Sequence, residues 1–282
     1  MTEAAAVLFD LDGTLTDSAA GIQRSTCEAL RRLNAEDGGS RPIPAESELG
    51  WIVGPPLRES FATLAGEDNA DRMLELYHER YDTIGIFENQ VYAGVADALN
   101  QLRARGERLF VATSKRQVDA QRVVEHFGLA PYFEGVYGAQ PDGRRAEKSA
   151  VLAAAIAGGR LEAASRIVMI GDRRYDALGA RAVGIPTIGA LWGYGDRAEL
   201  SEAGADPIIA SHATFLTRWR PCSRAPDSPP PHLFLPASAK SAATSLMPNH
   251  LFGVVRLFQS GDGARVEFQR QSRDRVSEMV RL

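Results

Sequence analysis

The sequence predicts an α/β fold: a parallel sheet with helices on both faces, interrupted after its first strand by an all-helical insertion. Three observations carry that expectation. From Val95 onward, short apolar runs alternate with amphipathic segments of helical period. The opening run, residues 4–9, is apolar throughout, too short for a typical helix and closed by a glycine turn, as in a strand covered on both faces. Between them, residues 18–88 contain helical segments and breakers but nothing of strand character.

The elements follow in order. Residues 18–33 place Ile22, Thr26, Ala29, Leu30 and Leu33 at helical spacing, with Ser18 as the expected N-cap. Gly38-Gly39 and the prolines at 42 and 44 end that helix. Two shorter helices are expected over 45–51 and 57–64, on either side of Gly54-Pro55-Pro56. A longer one is expected over 69–83, with Met73, Leu76, Tyr77 and Tyr81 on one side. The alternating part then reads as helix 95–105, strand 108–113, helix 118–127, strand 133–138, helix 148–157, strand 167–170, helix 177–183, and strands at 186–190 and 207–209. After Pro221 the composition shifts to a proline-rich linker and then a more basic stretch, which could pair 252–258 with 264–268 around Gly261-Asp262-Gly263. Such a hairpin is too small to be stable alone. The expected organisation is a core of residues 1–17 and 90–218, a helical domain of 18–89, and a linker and tail of 219–282, disordered or loosely docked.

Composition narrows the function. The chain has 282 residues, 44% hydrophobic and 24% charged, as in a soluble globular protein, with a formal net charge of -4. That charge provides no field for a nucleic-acid polymer or an anionic membrane. No segment has the length and apolarity of a transmembrane helix, and no signal peptide is evident, so a cytoplasmic protein is expected. The cysteines at 27 and 222 are too far apart in kind and place to suggest a disulfide framework or metal knuckle.

The polar groups with chemistry stand at strand ends, where ligand sites of such sheets form. The first strand ends in Asp10 and Asp12, two residues apart and so on one side of an extended backbone; two such carboxylates call for a cation or a shared proton. The strand over 108–113 ends in Thr113-Ser114-Lys115, Lys148 opens a helix, and the strand over 167–170 ends in Gly171-Asp172 with Asp176 beyond. Carboxylates for a hard cation, hydroxyl and N–H donors for anionic oxygens, and one ammonium suit phosphoryl transfer.

In order and context, Asp10-Leu11-Asp12-Gly13-Thr14, Thr113, Lys148 and Gly171-Asp172 with Asp176 resemble the four motifs of the haloacid dehalogenase superfamily of phosphohydrolases. The resemblance covers roughly residues 5–218. It implies a Rossmann-like core and makes the helical insertion that family's mobile C1 cap. Within the superfamily the chain is similar to phosphoglycolate phosphatases, through Gly54-Pro55-Pro56-Leu57, 111–115 and 190–195. Stretches 125–129 and 137–145 are closer to a branch labelled 5′-nucleotidases. The resemblance implies Asp10 as nucleophile and Mg²⁺ ligand. Asp12 becomes the general acid/base, with its backbone carbonyl on the metal. Thr113 and the Ser114 N–H hold the phosphoryl group, and Lys148 neutralises Asp10 and phosphate. Asp172 is a direct Mg²⁺ ligand, with Asp176 orienting the metal shell. The implied activity is Mg²⁺-dependent hydrolysis of a small phosphorylated metabolite, by a monomer or homodimer. The alternatives are a 5′-nucleotidase, a sugar phosphomutase or a non-catalytic phosphate-binding module; Asp12 and Asp172 argue against a dehalogenase. The chain departs from many relatives at Ser149, where they have proline, and at Arg173, where they have a small residue.

Other residues have plainer readings. Thr113 could cap a turn, Lys148 could be a solvated helix-start lysine, and Asp172 and Asp176 could serve a helix dipole. Asp17 suits a hinge or cap as well as catalysis. Arg58, Lys115 and Arg116 are expected to be solvated at the surface. His78, His126 and His212 are expected to be structural, and Trp51 and Trp192 to pack in the core.

Overall fold

A computed structural model describes residues 5–140, 145, 147–162, 164, 166–211, 253–260 and 263–270. In chain order the first unit runs β1 (Ala6–Phe9), β2 (Thr16–Asp17), α1 (Ala19–Asp37), a 3₁₀ segment Glu46–Ile52, α2 (Leu57–Ala65), α3 (Ala70–Tyr81) and β3 (Gln90–Val91). It continues α4 (Val95–Ala104), β4 (Arg108–Arg116), α5 (Gln117–His126), β5 (Gly135–Ala139), α6 (Lys148–Gly158), β6 (Ile167–Gly171), α7 (Arg174–Ala182), β7 (Thr187–Ala190), α8 (Arg197–Ala203) and β8 (Ile208–Ile209). Six strands form one parallel sheet in the order β5-β4-β1-β6-β7-β8.

β1 is central and buried because every one of its side chains is apolar. Its alternation divides the core. Val7 and Phe9 join the cluster that holds Val95, Leu99 and Leu102 of α4 and Val123 of α5. Ala6 and Leu8 join Val151, Leu152 and Ala155 of α6 and Ala180 of α7. Helices therefore cover both faces, and each fully buried Leu or Val contributes about 1.5–3 kcal/mol. The parallel ladder brings the carboxyl ends of β1, β4 and β6 side by side, Phe9 being in register with both Val111 and Ile170.

The insertion is helical throughout. α1 packs on α3, and α3 on α2, around buried Phe61, Met73, Leu76 and Tyr77. Its two connections to the sheet lie together: β2 and β3 pair antiparallel, Thr16 against Val91 and Asp17 against Gln90. No periodic pattern signals so short a pair. The expected Ser18 cap is not formed. Ala19 N–H instead donates to Asp17 Oδ1 (3.3 Å) and to the Tyr194 hydroxyl oxygen (3.0 Å). α8 was not expected, although Asp196 accepts from Glu199 N–H at 2.8 Å, an ordinary N-cap legible in the sequence.

Trp51, expected in the core, is 43% exposed. Trp192 packs against the core and donates its indole N–H to Thr14 O at 3.0 Å. His126 packs between Phe87, tilted at 42°, and Phe127, edge-on at 80°; His212 lies outside the described residues. A second unit, Ser228–Leu282, contains strands β9 (Gly253–Ser260) and β10 (Gly263–Arg270), paired antiparallel with Leu257 opposite Val266. The expected hairpin is thus present, each strand longer than its apolar run. The linker expected from residue 219 lies outside the described residues. No helix among the described residues is long and apolar enough to cross a membrane.

Candidate active site

The site gathers at the carboxyl ends of β1, β4 and β6, where the chain leaves the sheet. Asp10 follows β1 directly. Its Oδ1 accepts from Leu11 N–H at 2.8 Å and lies 3.0 Å from Lys148 Nζ. Lys148 begins α6, and its buried ammonium also meets Asp176 Oδ1 at 2.7 Å and donates to Ala112 O at 3.1 Å. Burial alone would lower the Lys148 pKa; the Asp10 and Asp176 carboxylates outweigh it, and the net shift is upward.

Asp172 follows β6 and is completely buried. Thr14 Oγ1 donates to its Oδ1 at 3.0 Å and Tyr194 N–H to its Oδ2 at 2.8 Å. Burial, then the charges of Asp176 and Asp10, push its carboxyl well above the usual range. Asp176, in the first turn of α7, accepts from Arg173 N–H at 3.1 Å. Its carboxyl is pushed up to about 6 by burial and Asp10, against the opposing pull of Lys148. The packing here admits only glycine at position 13: φ is +85°, and an added Cβ would collide with the Asp172 carboxylate.

One oxygen each from Asp10, Asp172 and Asp176 lies within 4.8 Å of the others. Three buried carboxylates there face one ammonium, an excess of two negative charges that a cation or protons must offset. The donor set is all oxygen, which suits a hard divalent ion. Asp176, expected behind the metal ligands, offers an oxygen as close as theirs.

Asp10 and Asp12 line one cavity but take different partners. The chain turns at Leu11, whose carbonyl accepts from Leu15 and Thr16 N–H. Asp12 Oδ2 meets Lys115 Nζ at 2.8 Å. Lys115, expected at the surface, has a side chain only 7% exposed and also donates to Tyr81 of the insertion. Burial pulls its pKa down, but Asp12, together with Tyr77 and Asp119, more than restores it. The sequence reads the strand as ending at Thr113; in the structure β4 runs on to Arg116 and carries Lys115 toward the site. Arg116, also expected to be solvated, is half-buried between Asp119 and Asp82, 2.5 Å from each. Arg58 is exposed and paired with Asp71 and Glu67. Asp17 accepts from the Tyr194 hydroxyl at 2.8 Å beside the β2–β3 connection, the position of a hinge.

A cavity of about 680 Å³ opens above this cluster. Asp10, Asp12, Thr113, Ser114 and Lys148 line it from the sheet side, and Tyr77, His78, Tyr81 and Leu74 from the insertion. Every side chain expected to touch substrate is therefore in one pocket, while Asp172 and Asp176 lie beneath it. Arg173 ties the two sides, donating to Val53 O of the insertion and pairing with Glu199.

Residues 7–190 match the family model of haloacid dehalogenase-like hydrolases. The chain belongs to that family. Curated relatives include the tyrosine-protein kinase PtkA of Mycobacterium tuberculosis, 40% identical over 209 residues (74% of this chain, 69% of that one). A 5′-nucleotidase of Pseudomonas aeruginosa is 39% identical over 196 residues, 69% of this chain and 86% of the other. A phosphoglycolate phosphatase of Caulobacter vibrioides is 32% identical over 226 residues, 73% and 87% of the two chains. Among solved structures, a predicted phosphatase from Clostridium acetobutylicum superposes with a TM-score of 0.69 at 37% identity, covering 77% of this chain and all of that one.

Proposed function

We propose that this protein is a Mg²⁺-dependent phosphomonoester hydrolase acting on a small phosphorylated metabolite, in the manner of phosphoglycolate phosphatases, and that it works in the cytoplasm as a monomer or homodimer. The observation that carries the reading is the Lys148 ammonium set between Asp10 and Asp176, in a buried cluster with Asp172 where three carboxyl groups share one ammonium at the floor of the cavity. Asp10, Asp172 and Asp176, with the Asp12 backbone carbonyl, would hold the ion, which supplies charge neutralisation between an anionic nucleophile and an anionic phosphate.

The chain's own groups account for the two steps. An Asp10 carboxylate oxygen bonds to phosphorus as the bond to the leaving oxygen breaks, and protonated Asp12 gives that oxygen its proton, releasing the alcohol. Asp12, now a carboxylate, takes a proton from water; the water oxygen bonds to phosphorus, and the bond to Asp10 breaks to free inorganic phosphate. Thr113 Oγ1 and Ser114 N–H hold the non-bridging oxygens, and Lys148 offsets their charge. The insertion acts as a cap that excludes bulk water.

A second reading, a 5′-nucleotidase, is favoured by the cavity: about 680 Å³ with tyrosines and a histidine on its upper side exceeds what a two-carbon phosphate fills. The test is a screen of phosphoglycolate, nucleoside monophosphates, sugar phosphates and p-nitrophenyl phosphate, with and without Mg²⁺. Asp10→Asn should abolish Mg²⁺-dependent release of phosphate while the protein stays folded, and Asp12→Asn should slow it by about 10²–10⁴-fold. Full turnover by Asp10→Asn overturns the assignment. The kinase relative adds one arm, ATP with a tyrosine peptide: phosphate passed to the peptide in place of water would replace the hydrolase reading.

A further inference from the structure

We propose that Lys115 is a positioning residue for Asp12, and that through Tyr81 it ties the placement of the acid/base carboxylate to docking of the helical insertion. The inference rests on the hydrolase reading and deepens it. Lys115 stands near the end of β4, and its Nζ is 2.8 Å from Asp12 Oδ2. The same Nζ donates to the Tyr81 hydroxyl and sits 4.9 Å from the Tyr81 ring centroid, so its donors and charge are divided between the sheet and the insertion. Tyr81 closes α3 and is itself fixed: it stacks on Tyr77 with centroids 5.0 Å apart and planes at 15°, and Tyr77 leans on Phe61 at 5.4 Å. Asp12 Oδ1 is buried and has no hydrogen-bond partner among the described residues.

One carboxylate oxygen is thus anchored and the other carries no competing hydrogen bond. A carboxylate with neither oxygen held rotates about its own bonds, and proton transfer depends on heavy-atom distances of about 2.6–3.2 Å. Burying an ammonium is costly, and a buried ion pair adds little to stability over an apolar pair of the same volume. Holding Asp12 gives the arrangement a function beyond stability. The partner on the far side belongs to the insertion. When the insertion lifts, the Tyr81 hydroxyl and ring leave Lys115, and Asp12 loses its fixed anchor. When the insertion docks, Asp12 is set as the substrate is enclosed.

The test uses leaving groups that need the proton unequally. p-Nitrophenolate departs as a stable anion, whereas an alkoxide requires protonation. Lys115→Met should lower kcat/KM for the best alkyl phosphate of the wild-type protein at least about tenfold more than for p-nitrophenyl phosphate. Tyr81→Phe, which keeps the ring and removes the hydroxyl, should shift the ratio the same way by a smaller factor. It decides the matter alone if circular dichroism shows the Lys115 variant unfolded. Equal losses on both substrates, or none, overturn the inference while leaving the hydrolase reading intact. A wild-type protein that turns over neither substrate overturns both.

Discussion

Replacing Lys148 with methionine keeps the length and apolar stem of the side chain and removes its charge. The consequence can be worked from two distances. Lys148 Nζ lies 3.0 Å from Asp10 and 2.7 Å from Asp176, each pair worth about 6 kcal/mol of gross Coulomb attraction at an effective dielectric of about 20. The cost of dehydrating the ammonium offsets much of this. Removing one partner of a buried pair costs about 3–5 kcal/mol net, because the other partner is left buried and unpaired. Here three carboxylates would remain with no cation. In chelator-treated buffer at pH 7, urea unfolding of Lys148→Met should therefore give a stability about 3–5 kcal/mol below wild type. Added Mg²⁺ should recover part of it, about 2.7 kcal/mol at a hundred times the dissociation constant. Equal stability of the two proteins without metal would refute the account of the cluster, because the carboxylates would then be offset by something other than this ammonium.

Two further perturbations separate local effects from global ones. Gly13→Ala forces a side chain into a left-handed backbone and against the Asp172 carboxylate; it should cost about 1–3 kcal/mol and raise the Mg²⁺ concentration needed for half-maximal turnover. A normal metal titration would exclude that contact from the site. His78 is held below its ordinary value of 6.5 by burial and by Arg116, against the pull of Asp82. The unfolded chain therefore takes up the proton first, and the contribution of His78 is intact above pH 6.5 and lost as pH falls below it. His78→Gln should flatten the stability profile in that window; an unchanged slope would assign the pH dependence elsewhere.

How far the sequence reaches can be judged element by element. The apolar runs at Ala6–Phe9 and Ile167–Gly171 announce strands because burial on both faces leaves no room for polar residues. β4 reads as ending at Thr113, since Ser114-Lys115-Arg116 is polar; the strand continues because Asp12, Asp119 and Asp82 take those charges from elsewhere in the chain. α7 begins at Arg174, three residues before its apolar period, because Asp176 belongs to the site and carries no hydrophobic signal. The residues Asp10, Asp12, Thr113, Ser114 and Lys148 all reach one cavity, as their motif order implies. Tyr81 illustrates what stays hidden. Its helical spacing announces only a buried face, and the bond to Lys115 is made by tertiary packing between segments far apart in sequence.

The short β2–β3 ladder has an architectural consequence. The chain departs for the insertion and returns from it through neighbouring residues, Thr16 beside Val91. With the insertion acting as the proposed cap, such a doorway would let it swing about one narrow axis without breaking a strand of the sheet. It also lets evolution exchange the whole lid for another, or trim it to a tight bend, while the order of strands beneath is kept. Selectivity could then change through the lid while the catalytic floor stays fixed.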